Sequence, residues 1–323
     1  MIRRPIIFLL IILMSACNMQ SGENDTMVSK KGVAANTVSL LVLGNVQDAG
    51  SPHIACTRDC CKELFTKPDP ERKVVALGLL DKVNNKKYLF EATPDIVSQL
   101  KYLKLQLPDN TREMPDGIFL THAHIGHYTG LMHLGKEATD AKEVPVYVMS
   151  RMDSFLRHNG PWSQLIEREN IKLNQMQNRK ETSLGESIKV TPLRVPHRDE
   201  YSETVGFIIA GPNKKALFIP DIDKWEKWDA DIVALIAIVD YAFIDATFYS
   251  GAEIKRRDIS LIPHPFAIET MKIMEHLSEK EKAKIRFIHF NHTNPLLKPD
   301  SKDTKEVLEK GFGIARFGDE VEL

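Results

Sequence analysis

The sequence is short of cysteine. Four occur in 323 residues, and Cys56, Cys60 and Cys61 are crowded into one short segment. That supply is too small and too local for a disulfide-stapled scaffold, in which cross-links stand in for a core. Neither charge sign predominates: 43 lysines and arginines face 44 aspartates and glutamates. Without a net basic field there is no strong signal for nucleic acid as a partner. No apolar run approaches the roughly 20 residues that cross a bilayer, and the run from Ile6 to Met14 falls well short. From Thr37 onward there is no internal repeat, low-complexity tract or second linker, which excludes solenoids and propellers.

What remains is a globular composition, 43% apolar and 27% charged, able to bury a substantial core. The first residues, MIRRPIIFLLIILMSAC, place two arginines before a short apolar run and small residues before Cys17. Such an order is an export signal. Its ending, LMSAC, resembles the bacterial lipoprotein signal, in which the cysteine is lipidated; a plain secretory signal or an uncleaved anchor would share the first two features. The expected organisation is a signal peptide over 1–16, a flexible polar tether over 17–36 and one domain over 37–323. The lipoprotein reading implies the bacterial cell envelope, with the domain held to a membrane by lipid on Cys17 and facing the periplasm or exterior.

Within the domain, short runs rich in β-branched and aromatic residues read as strands. SLLVLG leads to Asn45 and Asp48, KYLFEATPD carries Glu91 and Asp95, and GIFLTHAHIGH carries His122, His124 and His127. IKVTPLRVPH ends in His197, KALFIPD in Asp221, YAFID in Asp245 and IRFIHFNH in His289 and His292. Any one of these could be an ordinary polar loop residue. Histidine arriving repeatedly at the same strand end is what a single site at one sheet edge requires. Segments around residues 126–138, 152–170, 265–284 and 303–311 have helical spacing, while IIAGPNKKALFIP reads as a hairpin. The class is therefore α/β with mixed sheets. His133, His158 and His276 fall on the helical segments and read as surface histidines.

The ordered series His122, His124, His127, His197, Asp221 and His289 resembles the ligand set of the metallo-β-lactamase superfamily. That resemblance implies a four-layer αββα sandwich. The segments LGNVQDAGSPHIACTRDCC, THAHIGHYTGL and IHFNHTNPLL are most similar to the branch containing pyrroloquinoline quinone biosynthesis protein B, the phosphonate-pathway cyclic phosphodiesterase and tRNase Z. His122, His124 and His197 would hold one zinc ion, with Asp221 bridging to a second held by His127 and His289; such paired ions stabilise attacking and leaving oxygens. The superfamily carries aspartate immediately before the last histidine of the cluster, where this chain has Gly126. The second ion would then be weaker or absent, or Asp48 or Asp223 would replace the missing ligand, and Gly126→Asp should strengthen it. Three histidines and a carboxylate also suit iron, and manganese is a further candidate.

FIDATFYS followed by LIPHPFAIET resembles the tRNase Z elements in which an acidic residue orients a proton-donating histidine. Asp245 and His264 would fill these catalytic roles, the alternative being a strand end and a helix cap. Cys56, Cys60 and Cys61 with His292 resemble the structural zinc site of the phosphonate-pathway enzyme. His53 could replace His292, and a disulfide plus one free thiol is the alternative. Together these features imply a metal-dependent hydrolase of a small-molecule substrate. A cyclic or nucleotide-like phosphodiester is the leading class; lactone or β-lactam hydrolysis and a non-heme iron oxygenase are the alternatives. Trp162 could border the substrate or pack in the core.

Overall fold

The computed structural model describes residues 37–254, 258–259 and 262–323. The expected leader, tether and lipid-bearing Cys17 lie outside them. Among the described residues, no helix is long and apolar enough to cross a membrane.

Among the described residues, fourteen strands form two sheets. The first contains β1 (Val38–Gly44), β2 (Ala76–Asp81), β3 (Lys86–Phe90), β4 (Gly117–Phe119), β5 (Val144–Val148) and β6 (Ile171–Gln175) in that order, with β14 (Glu320–Glu322) outside β1. The second contains β7 (Thr182–Ser183), β8 (Lys189–Arg194), β9 (Val205–Ala210), β10 (Lys215–Ile219), β11 (Tyr241–Asp245), β12 (Ile285–Ile288) and β13 (Gly313–Ile314). Both sheets are mixed. β14 to β3 and β7 to β10 are antiparallel, whereas β3 to β6 and β10 to β13 are parallel. The hairpin expected from IIAGPNKKALFIP is the β9–β10 pair, closed by Gly211 N–H donating to Lys214 O at 2.9 Å.

Strand β1 shows why the sequence reads as continuous apolar runs. Successive side chains point to opposite faces, and here both faces are covered. Leu40 and Val42 enter the core between the sheets, whereas Leu41 and Leu43 enter a second core outside the first sheet. That outer core includes residues of α1 (Ile96–Leu105), α3 (Ser150–His158) and α4 (Trp162–Glu167). On the opposite side, α5 (Ile232–Ala237), α6 (Ala267–Ile273) and α8 (Lys302–Glu309) contribute to a third core with Leu217, Ile244 and Phe287. The result is the four-layer αββα sandwich.

Between the sheets, Phe90 stacks on Phe119 (4.8 Å between centroids) and meets Phe207 edge-on at 5.5 Å. Aromatic contacts of this kind contribute about 0.5–1.5 kcal/mol each beyond burial. The contacts of Phe90 and Phe119 with Phe207 join the sheets, and Phe119 stands three residues before His122. Three helical expectations change, the first being the 265–284 segment, which divides into α6 and a single turn, α7 (Glu279–Lys282). The segment after the histidine cluster forms only one α-turn, α2 (Ile125–Tyr128), followed by 3-10 turns to Leu134. The 152–170 segment divides into α3 and α4 at Asn159–Pro161, where the proline ring cannot continue a helix. Trp162 lies in the core, 4.9 Å from the Tyr128 ring.

Candidate metal centre

The strand-end series converges. β4 runs into His122, β8 precedes His197, β10 precedes Asp221, Asp245 closes β11, and His289 follows β12. One group of potential ligand atoms comprises His122, His124, His197 and Asp221, and another comprises Asp48, His127, Asp221 and His289. Within each group all atoms lie within 4.8 Å of one another. Asp221 belongs to both, as a bridging carboxylate would.

Each histidine uses one ring nitrogen for orientation. His122 Nδ1 is 2.8 Å from Thr121 Oγ1, and His127 Nδ1 faces Glu91 Oε1 at 3.2 Å as an ion pair in which neither atom has a hydrogen-bond partner. His197 Nδ1 is 3.1 Å from Asp223 Oδ1, and His289 Nδ1 is 2.8 Å from Thr247 Oγ1. His124 is reversed, with Nε2 at 3.3 Å from Glu200 and Nδ1 turned to His122 Nε2 at 2.8 Å. The remaining nitrogens point into one shared space. Holding one imidazole nitrogen so that the other is presented is the usual support for a metal ligand.

The electrostatics favour a cation there. Burial opposes the charge on Asp221, but His197, His264 and His289 hold its carboxyl well below the usual range. Burial also opposes protonation of His127, yet Asp48 and Glu91 raise it well above an ordinary imidazole. Against the same burial, Asp221 and Asp223 push His197 up to about 9. His197 Nε2 and Asp221 Oδ1 are buried without a hydrogen-bond partner, although His197 Nε2 is 3.3 Å from Asp221 Oδ2. Close but unbonded donor atoms fit ligands spaced around an ion rather than a hydrogen-bonded pair. Glu91 (φ 79°) and His289 (φ 67°) both occupy the left-handed region, which costs of order 1–3 kcal/mol and is typical of functional positions.

The two possible replacements for the missing aspartate separate. Asp223 lies behind His197 and orients it, whereas Asp48 Oδ1 approaches His127 Nε2 at 3.0 Å and His289 Nε2 at 3.2 Å. The expectation that Gly126→Asp would add a ligand is corrected. A Cβ on Gly126 would stand 2.3 Å from Asp48 Cα, so the new side chain has no room.

Beside these groups, His264 Nδ1 is 2.9 Å from Asp245 Oδ2 and 3.1 Å from Asp221 Oδ1. Burial works against its charge, but the two carboxylates raise its pKa well above the ordinary value. His264 also lines a cleft of about 1510 Å³. Asp245 Oδ1 accepts from Thr247 N–H and its hydroxyl, both at 2.7 Å, and Oδ2 also accepts from Ile222 N–H at 3.2 Å.

A further group comprises Cys56, Cys60, Cys61 and His292, again with ligand atoms within 4.8 Å of one another, and Cys56 and His292 line the same cleft. All three thiols are free. The Cys56–Cys60 and Cys60–Cys61 sulfur separations are 3.9 Å, too long for a disulfide and close to the edge of a tetrahedron with Zn–S bonds of about 2.3 Å. Asn291 Oδ1 holds His292 Nδ1 at 3.1 Å. His53 instead packs at a tilt against His292, with its Nδ1 2.9 Å from Ile54 O and its backbone N–H donating to Cys61 Sγ.

The beta-lactamase superfamily domain matches residues 86–290. The chain belongs to this superfamily. Among curated superfamily relatives, the coenzyme PQQ synthesis protein B of Methylobacillus flagellatus is 25% identical over 312 residues, covering 87% of this chain and 99% of that one. The Zn(2+)-bound PqqB structure from Methylobacterium extorquens superposes with a TM-score of 0.69 at 19% identity, covering 88% of this chain and all of that chain. A diphosphatase of the PhnP family gives 0.60 at 21% identity, covering 88% and 97%, and human tRNase Z, short form, gives 0.53 at 14%, covering 88% and 98%. The structural likenesses show a shared fold, and the superfamily match makes the chain a metallo-β-lactamase-family hydrolase.

Sequence reasoning gave no site role to Glu91, Thr121 or Thr247. Glu91 was visible only as an acid at a strand end. The two threonines carry no signal until the strands pair.

Proposed function

We propose that this protein is a zinc-dependent phosphodiesterase acting on a cyclic or nucleotide-like phosphate. One observation carries the reading: a histidine with one nitrogen fixed by buried Asp245 lines the cleft directly beside the metal-competent groups. His122, His124, His197 and Asp221 would hold a zinc ion, which would supply Lewis acidity for activating water and neutralising charge on phosphoryl oxygens.

The chain's own residues do the rest. Asp245 holds His264 Nδ1, which leaves Nε2 to protonate the departing oxygen. Burial works against a proton on this histidine, but Asp245 and Asp221 raise its pKa above the ordinary value. Arg58 and Arg198 line the cleft with Phe248 and Ile262, a combination suited to an anionic ligand with an apolar or aromatic part. Cys56, Cys60, Cys61 and His292 would hold a structural zinc beside the cleft. The export and lipid signals tether the domain to the cell envelope.

The test is turnover by the zinc-loaded protein of a panel of cyclic and linear phosphodiesters, lactones and β-lactams, together with His264→Ala. The expected pattern is phosphodiester hydrolysis, and a His264→Ala deficit of about 10²–10⁴-fold for alkyl esters that shrinks for nitrophenyl esters. Turnover of lactones or β-lactams alone, or equal deficits for both ester types, would overturn it.

A further inference from the structure

Gly126 leaves the superfamily pattern one carboxylate short, and Asp48 stands against it. We propose that Asp48 is the carboxylate ligand of a second catalytic ion, exchanged for the aspartate that the superfamily carries at position 126, and that Gly126 makes the exchange possible. This rests on the metal-dependent reading of the His122 edge.

The geometry supplies each element. Asp48, His127, Asp221 and His289 offer four ligand atoms within 4.8 Å of one another. His127 and His289 are already held from behind by Glu91 and Thr247, which turns both Nε2 atoms toward Asp48 Oδ1. Two carboxylates and two imidazoles make a complete set for a divalent ion such as zinc.

Asp48 is not a side chain that happens to reach the site. Its segment leaves β1 and is bonded across the edge: Val46 bridges both Val74 and Phe290, and Gln47 N–H donates to Phe290 O at 2.8 Å. These main-chain bonds place residue 48 beside His289. The backbone there occupies the space into which a side chain at 126 would project. A Cβ on Gly126 would lie 2.3 Å from Asp48 Cα and 2.7 Å from Asp48 Cβ. The two carboxylate positions therefore exclude one another, which a mere loss of the aspartate would not require. Glycine at 126 is the steric condition for using Asp48.

The experiment measures zinc per chain, and its release to a competing chelator, for the full chain and three variants: Asp48→Ala, Asp48→Asn and Gly126→Asp. Circular dichroism establishes that each is folded. Asp48→Ala should lose one zinc equivalent, and Asp48→Asn, which keeps the shape, should release that equivalent at least about tenfold more readily, since even losing an outer support weakens a site by about 10–100-fold. Gly126→Asp should lose the second ion or destabilise the fold, because its Cβ would meet the main chain at residue 48. Wild-type zinc content and release in both Asp48 variants would overturn the proposal, as would tight two-ion binding by Gly126→Asp alone. Absence of zinc at the histidine edge of the wild type, shown by His197→Ala changing nothing, would instead overturn the metal-dependent reading.

Discussion

Replacing Asp245 by asparagine tests the dyad most sharply. From sequence spacing this is a mild change, because His264 keeps its place. The hydrogen bonds argue otherwise. Both carboxylate oxygens are fully buried acceptors: Oδ1 takes Thr247 N–H and hydroxyl, and Oδ2 takes Ile222 N–H and His264 Nδ1–H. An amide turns one acceptor into a donor. Whichever way it is oriented, a backbone N–H, of Thr247 or Ile222, meets an NH₂ and is left unpaired at a cost of about 1–3 kcal/mol.

If the NH₂ replaces Oδ2, His264 Nδ1 must become the acceptor, and Nε2 keeps a proton only as a neutral imidazole. That is a far weaker acid. If it replaces Oδ1, the link through Thr247 Oγ1 to His289 is disturbed. Asp245→Asn should thus lower stability by about 1–3 kcal/mol in urea unfolding and lose most of the general-acid contribution, about 10²–10⁴-fold, on alkyl phosphodiesters. The nitrophenyl deficit should be smaller. The pH profile should shift as well. Burial lowers the His264 pKa, but Asp245 and Asp221 raise it further, so wild-type activity should persist as pH rises until that raised value is passed. In the variant the fall should come at lower pH. Wild-type stability and an unchanged basic limb, with zinc content intact, would refute the dyad.

Other expectations are briefer. Cys61→Ser should remove one zinc equivalent by mass spectrometry while leaving the metal at the His122 edge, because the sulfur cluster shares no ligand with it. Burial pushes Glu253 up from 4.5 to about 7; the folded chain then holds a proton that the unfolded chain has lost, so stability falls as pH rises through that window. Glu253→Gln should remove this fall, and melting temperatures at pH 5 and pH 8 check it. Cys17→Ser should move the protein from membrane to soluble fractions in a bacterium that lipidates exported cysteines, where the wild type should carry labelled fatty acid.

Some of this molecule was determined by sequence alone, because the physics involved is local. Runs such as SLLVLG and KALFIP specify strands with both faces buried, and the residue after such a strand must emerge at its edge. His122, Asp221, Asp245 and His289 could therefore be placed at strand ends from order alone, although His122 follows a strand of the first sheet and the other three end or follow strands of the second. Tertiary structure decided whatever depended on distant segments meeting. Asp48 and Asp223 are equivalent as acids in loops, yet the Val46 and Phe290 pairing puts one in front of His127 and His289, while the other sits behind His197. His53 and His292 both lie near cysteines in space, and only the direction of their ring nitrogens separates ligand from neighbour. Gly126 looked like a missing ligand in one dimension; in three it is the space that Asp48 fills, because a steric exclusion between residues far apart in the chain leaves no trace in local pattern.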